Sequence, residues 1–459
     1  MDTRTKQMLA VLLVIVVVAG VGVVFIMLPP AGVPIGQLFT PGAPANTPAE
    51  NIIIVGILDP MTDIQGIGAW QGAYMACEEL NLAGGVTVDG EDYYFGVIAE
   101  DTSESEASLD LTKGTAAATK IIEEDGAQFI IGGFRSEALL AYQEIVMDNE
   151  MLLFGTGAST DIFCQNVLDN YDRYKYFFRV IPINSTSLAS SLLRYIAYLD
   201  GYLTAVTGQN ITKVAVIRED LTWTEGMGAF LDGYLPLYGL EVVEHIAYPI
   251  TADAAAFATY WQQIDDAGAQ ITVPVISAQG GILMTTQYQQ LQPKCIMAGI
   301  DVMGQLDTYW TQTAGACQYE VVLQSTIRTN KTTRTIPAWD AFLAKYGQEP
   351  IYNAIGSYDA MYILAQAIED GQTFNSTELI PVLEEIDVNN PFEGFAGNIA
   401  FLDSHDVFEG YIGDTIYSVV LFTQWQAGGV KEALSSGGYI YPDSVVTAQL
   451  VLPPWGINP

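Results

Sequence analysis

Short, unbroken apolar runs that alternate with longer stretches of helical periodicity confine this chain to an α/β architecture. Residues 52–59 read IIIVGILD, and a Gly-rich turn leads from them into an apolar-periodic stretch at 69–82. A strand without polar alternation is buried on both faces, and the helix that follows it supplies one of the covers. The pattern repeats as strand 93–99, helix 107–124, strand 128–131, helix 137–149 and strand 152–154. A second series begins near Leu188, with helix 188–202, strand 213–217, helix 225–238, strand 241–246, helix 254–267 and strand 271–276. Two doubly wound parallel-sheet lobes account for both series, and 459 residues exceed what a single core sustains.

In open parallel sheets a ligand sits beyond the carboxyl ends of the strands. The loops there, 60–68, 132–136, 155–161, 218–224, 277–281 and 299–303, are small, hydroxylic and aromatic, with few carboxylates. They offer polar contacts to a small zwitterion, whereas the Gly-rich motifs that cradle phosphates are absent. The chain carries 53 acidic against 17 basic residues, a formal net charge of −36, and such a surface repels nucleic acid. His245 and His405 stand far apart in the sequence and give little material for a metal site or a Ser/His/Asp relay. The expectation is therefore no metal, no cofactor and no catalysis. Cys77, Cys164, Cys295 and Cys317 show no C-x-x-C spacing; Cys77 falls on an apolar helix face, and Cys295 with Cys317 could pair in an oxidising compartment.

Residues 8–28 carry no charge and are long enough to cross a hydrocarbon core of roughly 30 Å as a helix. Arg4 and Lys6 precede this run and the next basic residue is Lys113, so residues 1–7 are placed in the cytoplasm and the remainder outside. The preferred reading is an uncleaved anchor in the cell membrane; Ala43-Pro44-Ala45 keeps open a cleaved signal segment and a secreted product. No cysteine lies nearby to take a lipid. Residues 29–50, rich in Pro, Gly, Ala and Thr, are expected to form a flexible spacer. N-x-[ST] sequons at Asn184, Asn210, Asn330 and Asn375 agree with an external location.

Four ordered pieces carry a resemblance: IIIVGILDPMTDIQGIGAWQGAYMACEELNLAGGV from Ile52, IIEEDGAQFIIGGFRSEA from Ile121, LLFGTGAST from Leu152 and GSYDAMYILAQAI from Gly356. In order and spacing they resemble the periplasmic branched-chain amino-acid binding family, the type I solute-binding fold, from Ile52 to the mid-420s. The resemblance implies one lobe from 51–180 plus 327–400 and another from 181–326 plus 401–459, with a three-crossover hinge near Pro182, Thr326 and Leu402. It places Ser136, Ala158 and Thr160 as first-lobe contacts to a ligand's carboxylate and amine, and Asp301 as the second-lobe acid for the amine. Trp223 falls where the family has an aromatic lid, and Tyr358 where a first-lobe tyrosine touches the ligand. Hydroxyls and free N–H groups at helix starts suit an anion, though Ser136 and Thr160 suit helix capping and Asp301 a turn equally well. Two departures open the side-chain specificity. Arg135 stands before the ligand serine, where the family's branched-chain binders have no cation, and SAQGG at 277–281 lacks an expected tyrosine, leaving Gln279. The implied function is an extracytoplasmic receptor that captures a small ligand, an amino acid, by lobe closure and delivers it to an ABC permease. The alternatives are a sensing ectodomain that signals through a separate partner, and a binder of amides or small organic acids.

Overall fold

The computed structural model describes residues 32–459 apart from Ala107, Ala278 and Gln279, so the apolar run at 8–28 and the candidate Gln279 lie outside the described residues. The first series becomes β1 (Ile52–Asp59), α1 (Ile64–Leu82), β2 (Val86–Val88), β3 (Glu91–Asp101), α2 (Leu111–Glu123), β4 (Phe129–Gly132), α3 (Ser136–Asp148) and β5 (Leu153–Gly155). It continues through α4 (Ile162–Asp169), α5 (Tyr171–Tyr174) and β6 (Phe177–Arg179). These strands form one sheet in the order β2-β3-β1-β4-β5-β6, parallel except for the β2–β3 hairpin. Burial of β1, with Val55, Ile57 and Leu58 fully enclosed, reflects helices packed on both faces.

The chain then crosses to α6 (Ser185–Thr207), β7 (Lys213–Glu219), α7 (Thr222–Tyr234), β8 (Glu241–Tyr248), α8 (Ala254–Asp266) and β9 (Ile271–Ile276). α9 (Gly281–Leu291), β10 (Ile296–Asp301), α10 (Tyr309–Gln312) and β11 (Val321–Gln324) complete this run. It returns to the first unit with α11 (Thr335–Tyr346), α12 (Tyr352–Gly371) and α13 (Ser376–Glu384). α12 lies on α1 so closely that a Cβ on Gly72 would stand 1.9 Å from the Ala354 carbonyl oxygen. Two short ribbons, β12 (Phe392–Glu393) with β13 (Asn398–Ile399) and β14 (Tyr411–Ile412) with β15 (Thr415–Ile416), precede β16 (Leu421–Gln426) and β17 (Val430–Ala433). The second sheet runs β17-β16-β11-β10-β9-β7-β8. Its core is parallel as expected, but β16 and β17 add an antiparallel edge.

The stretch read as a free spacer differs where it is described. β2 covers β3 only at residues 91–93, leaving the edge beyond it open. Phe39 exchanges backbone hydrogen bonds with Val97 at 2.9 and 2.8 Å, and Gly36 N–H donates to Ala99 O at 2.9 Å. The Phe39 ring packs edge-on against Trp70 at 5.7 Å. An unpaired sheet edge and an apolar socket thus hold a segment whose composition suggested flexibility. All four cysteines are free and buried, so Cys295 and Cys317 do not pair; Cys295 instead accepts a hydrogen bond from Thr272.

Candidate ligand-binding cleft

The carboxyl ends of both sheets face one cleft, a cavity of about 70 Å³, roughly five times what one water needs. From the first unit come Phe134, Arg135, Ser136, Glu137, Gly157, Ser159 and Tyr352. The second unit contributes Leu221, Trp223, Ser277, Ile300, Val302, Gln305 and Leu323. Pro182, Ile183, Gln324, Ser325 and Val420, where the chain passes between the sheets, close the floor. The walls are mainly apolar, with a polar cluster at the start of α3, which suits a small molecule with one charged end.

The turn into α3 is forced by local sterics. Gly132 sits at φ +140, and a Cβ there would meet Leu58 O at 2.1 Å, so only glycine lets the chain pass over β1. This turn delivers Arg135 and Ser136 to the cleft. Arg135 Nε lies 3.7 Å from Glu137 Oε2, and its side chain is only 18% exposed. Ser136 is buried, and its Oγ accepts the Thr160 N–H at 3.2 Å, leaving its own hydroxyl proton available to a ligand.

The residues singled out by sequence part company here. Arg135, Ser136 and Trp223 line the cleft together. Ala158 and Thr160 do not: Ala158 is enclosed in the core while its neighbours Gly157 and Ser159 face the cavity. Thr160 gives its N–H to Ser136 and its carbonyl to Arg179 Nη2 at 2.6 Å, and its Oγ1 faces the Ile162 N–H that opens α4. Asp301 requires correction as a cleft carboxylate. It is fully buried; Oδ1 accepts the Met303 and Gly304 N–H groups, and Oδ2 accepts the Tyr309 hydroxyl at 2.8 Å. That hydroxyl also lies 3.2 Å from Glu320 Oε2, so the two acids form a buried pair inside the second unit. Burial raises the Asp301 and Glu320 carboxyls, Glu320 further through the Asp301 charge. Tyr358 is corrected as well: its hydroxyl donates to Glu79 Oε2 at 2.6 Å and its ring packs against Phe395. Tyr352 reaches the cleft in its place, six residues earlier on α12, a rotation of roughly 600° that puts the two tyrosines on different faces.

Phe134, Glu137, Ser159, Gln305, Gln324 and Tyr352 were not singled out from sequence. Pro350 before the α12 start and the polar Gln324-Ser325 pair ending a buried strand are the signals that could have marked two of these places. Among the described residues no group of three or more His, Cys, Asp or Glu is placed to hold a metal ion. No helix among them is long and apolar enough to cross a membrane.

A family model described as periplasmic binding protein matches residues 53–411. None of the curated proteins matches the chain. Among solved structures, an ABC transporter substrate-binding protein from Desulfitobacterium hafniense in complex with Leu is 20% identical, with TM-score 0.64 over 83% of this chain and 99% of its own. A branched-chain amino acid transporter substrate-binding protein from Streptococcus pneumoniae in complex with isoleucine is 17% identical, with TM-score 0.66 over 83% and 98%. A solute-binding protein of an ABC transporter from Rhodopseudomonas palustris in complex with 3,4-dihydroxybenzoic acid is 20% identical, with TM-score 0.64 over 83% and 97%. At these identities the likeness is one of fold.

Proposed function

The chain belongs to the periplasmic binding protein family, a family of binders rather than enzymes, and from that premise we propose that it is an extracytoplasmic receptor for a small carboxylate, an amino acid or a related organic acid, delivered to an ABC permease. The observation that carries this reading is the placement of Arg135 and Ser136 at the opening of α3, on one wall of a cleft that both sheets line. A guanidinium, a serine hydroxyl and a helix start converge on one anionic group there. Trp223, Leu221 and Ile300 opposite suit an apolar body. Leucine, isoleucine and 3,4-dihydroxybenzoic acid, held by the similar structures, share that design of a carboxylate on an apolar frame. With Asp301 turned inward, Glu137 is the described cleft carboxylate left to meet an ammonium.

In this reading the ligand docks on the first unit, and Trp223 then closes over it, shifting the open-to-closed population. The closed form is what the permease recognises. The uncharged run at 8–28 anchors the receptor, with residues 1–7 in the cytoplasm. Calorimetric titration with L-leucine, L-isoleucine and benzoate tests it. At least one should bind, and Arg135→Ala should weaken binding by about tenfold or more, the scale of one charge-assisted contact. Silence from every small carboxylate, or an unaffected Arg135→Ala, would sink the reading.

A further inference from the structure

Beneath the cleft turn lie two carboxyl groups that the reading above does not use. Glu104, in the loop between β3 and α2, is fully buried. Its Oε2 accepts the Arg135 N–H at 2.9 Å; its Oε1 accepts the Thr102 hydroxyl at 2.8 Å and, more weakly, the Phe134 N–H at 3.4 Å. Asp59, the last residue of β1, is also fully buried, and neither of its oxygens has a partner at hydrogen-bonding geometry. The neighbouring Gly133 N–H is engaged with Leu58 O at 2.9 Å. Asp59 Oδ2 lies 3.1 Å from where a Cβ would stand on Gly132. Both acids therefore press on one four-residue turn from below, and the upper side of that turn is the wall of the cleft.

Few charges offset them. Arg135, on the turn itself, is the cation that acts on Glu104. Tyr142 from α3 and Tyr352 from α12 face the pair as neutral phenols, and Asp63 at the start of α1 adds a further negative charge beside Tyr352. Two ionised carboxylates cannot share so dry a space, so one proton stays with the pair. Burial pushes the Glu104 carboxyl up to about 7, and burial followed by the Glu104 charge raises Asp59 well above the ordinary carboxylate range.

We propose that Glu104, together with Asp59, is a proton-linked positioning element for the anion-binding turn, so that capture of a carboxylate draws one proton from solvent onto the pair. The inference rests on the cleft reading, because a ligand carboxylate held at Arg135 and Ser136 adds a second negative charge beside the singly protonated pair and favours its taking up a further proton. Glu104 also fixes the turn directly, since its carboxylate is what orients the Phe134 and Arg135 N–H groups away from the cleft.

The test begins without ligand. The Phe134 and Arg135 amide proton shifts of the purified protein, followed by NMR from about pH 5 to about pH 9, should titrate together with a midpoint near 7. Glu104→Gln should abolish that titration, and Asp59→Asn should preserve it, because a neutral amide stands in for the protonated Asp59 carboxyl. Calorimetry with L-leucine and benzoate, in buffers of different ionisation heat near pH 8, should then show uptake of about one proton, lost in Glu104→Gln. Flat amide shifts in the folded protein, or a titration unchanged in Glu104→Gln, overturn the pair. Binding without proton uptake overturns the coupling alone, and failure of both probes to bind at any pH overturns the cleft reading on which the coupling rests.

Discussion

Arg179 ends β6 with its guanidinium wholly shielded from solvent, and it holds two segments distant in sequence together. Nη1 donates to Asp406 Oδ2 at 2.8 Å and Nη2 to Thr160 O at 2.6 Å, while Asn184 Nδ2 supports the same Asp406 oxygen at 2.8 Å. Removing one partner of a buried pair strands the other charge, which costs far more than the intact pair contributes. Arg179→Ala should therefore lower unfolding free energy by roughly 3–5 kcal/mol in urea titrations. A loss of less than about 1 kcal/mol would show that the Asp406 carboxylate is hydrated or neutral without its partner. No local feature of the sequence marks Arg179: FFRV reads as a short apolar strand end, and its partner lies 227 positions away. The same distance blindness applies to Asp301, whose fate is decided by Tyr309 and Glu320 across the second unit rather than by its own neighbours.

At the scale of elements, the close crossing of α12 over α1 sets where Tyr352 emerges in the cleft. The two helices meet backbone to backbone at Gly72, with no space for a methyl group. Gly72→Ala should push them apart and destabilise the protein by about 1–3 kcal/mol or more, since the opposing atom is a carbonyl oxygen that has no rotamer with which to yield. Thermal unfolding checks the stability, and a displaced α12 should also weaken ligand binding because Tyr352 moves with it. An unchanged melting temperature would mean that the helices cross elsewhere. The long strands and helices were legible as elements because each repeats a period over several residues. β6 and α4 were not, being three and eight residues long and set in a loop-like stretch. The docking of Phe39 on β3 was invisible for a different reason: a sheet edge becomes a partner only once the sheet exists.

For the whole molecule, buried acids dominate the pH response. Burial raises Asp359 to about 6, Glu104 to about 7 and Glu409 to about 8. A folded-state pKa above the unfolded one means the folded state binds more protons in between, so this stability is complete below the ordinary carboxylate range and is lost as pH rises through the raised values. His405, lowered chiefly by burial, acts in the opposite sense, its contribution being lost as pH falls below its ordinary value. Lys331, which donates to the carbonyls of Ser325, Ala396 and Val419 where chain segments pass between the sheets, is lowered to about 7 by burial. Its contribution rises with pH only between about 7 and its ordinary value. Unfolding free energy should thus fall on the order of 5 kcal/mol between about pH 5 and about pH 7.5, as urea titrations at stepped pH will show. A flat or rising profile across that window would contradict it. The net charge of −36 predicts in addition that added salt raises the melting temperature, because screening relieves self-repulsion over a Debye length of about 10 Å at 0.1 M.

The sequence by itself determined the alternation of strands and helices, the doubly wound class, the loops that gather at the strand ends and the presence of Arg135, Ser136 and Trp223 among them. These follow from periodicity and from a topological rule, both of which act over short stretches or along chain order. Only the tertiary structure decided which side chains of those loops enter the cleft. Placement on different faces of one helix carries Tyr352 in and Tyr358 away, a core of hydroxyl and carboxyl groups draws Asp301 inward, and Glu104 arrives beneath Arg135 from another loop. Each of those outcomes depends on a partner distant in sequence. A buried polar group takes the hydrogen bonds that the assembled fold offers it, and spacing along the chain cannot specify them.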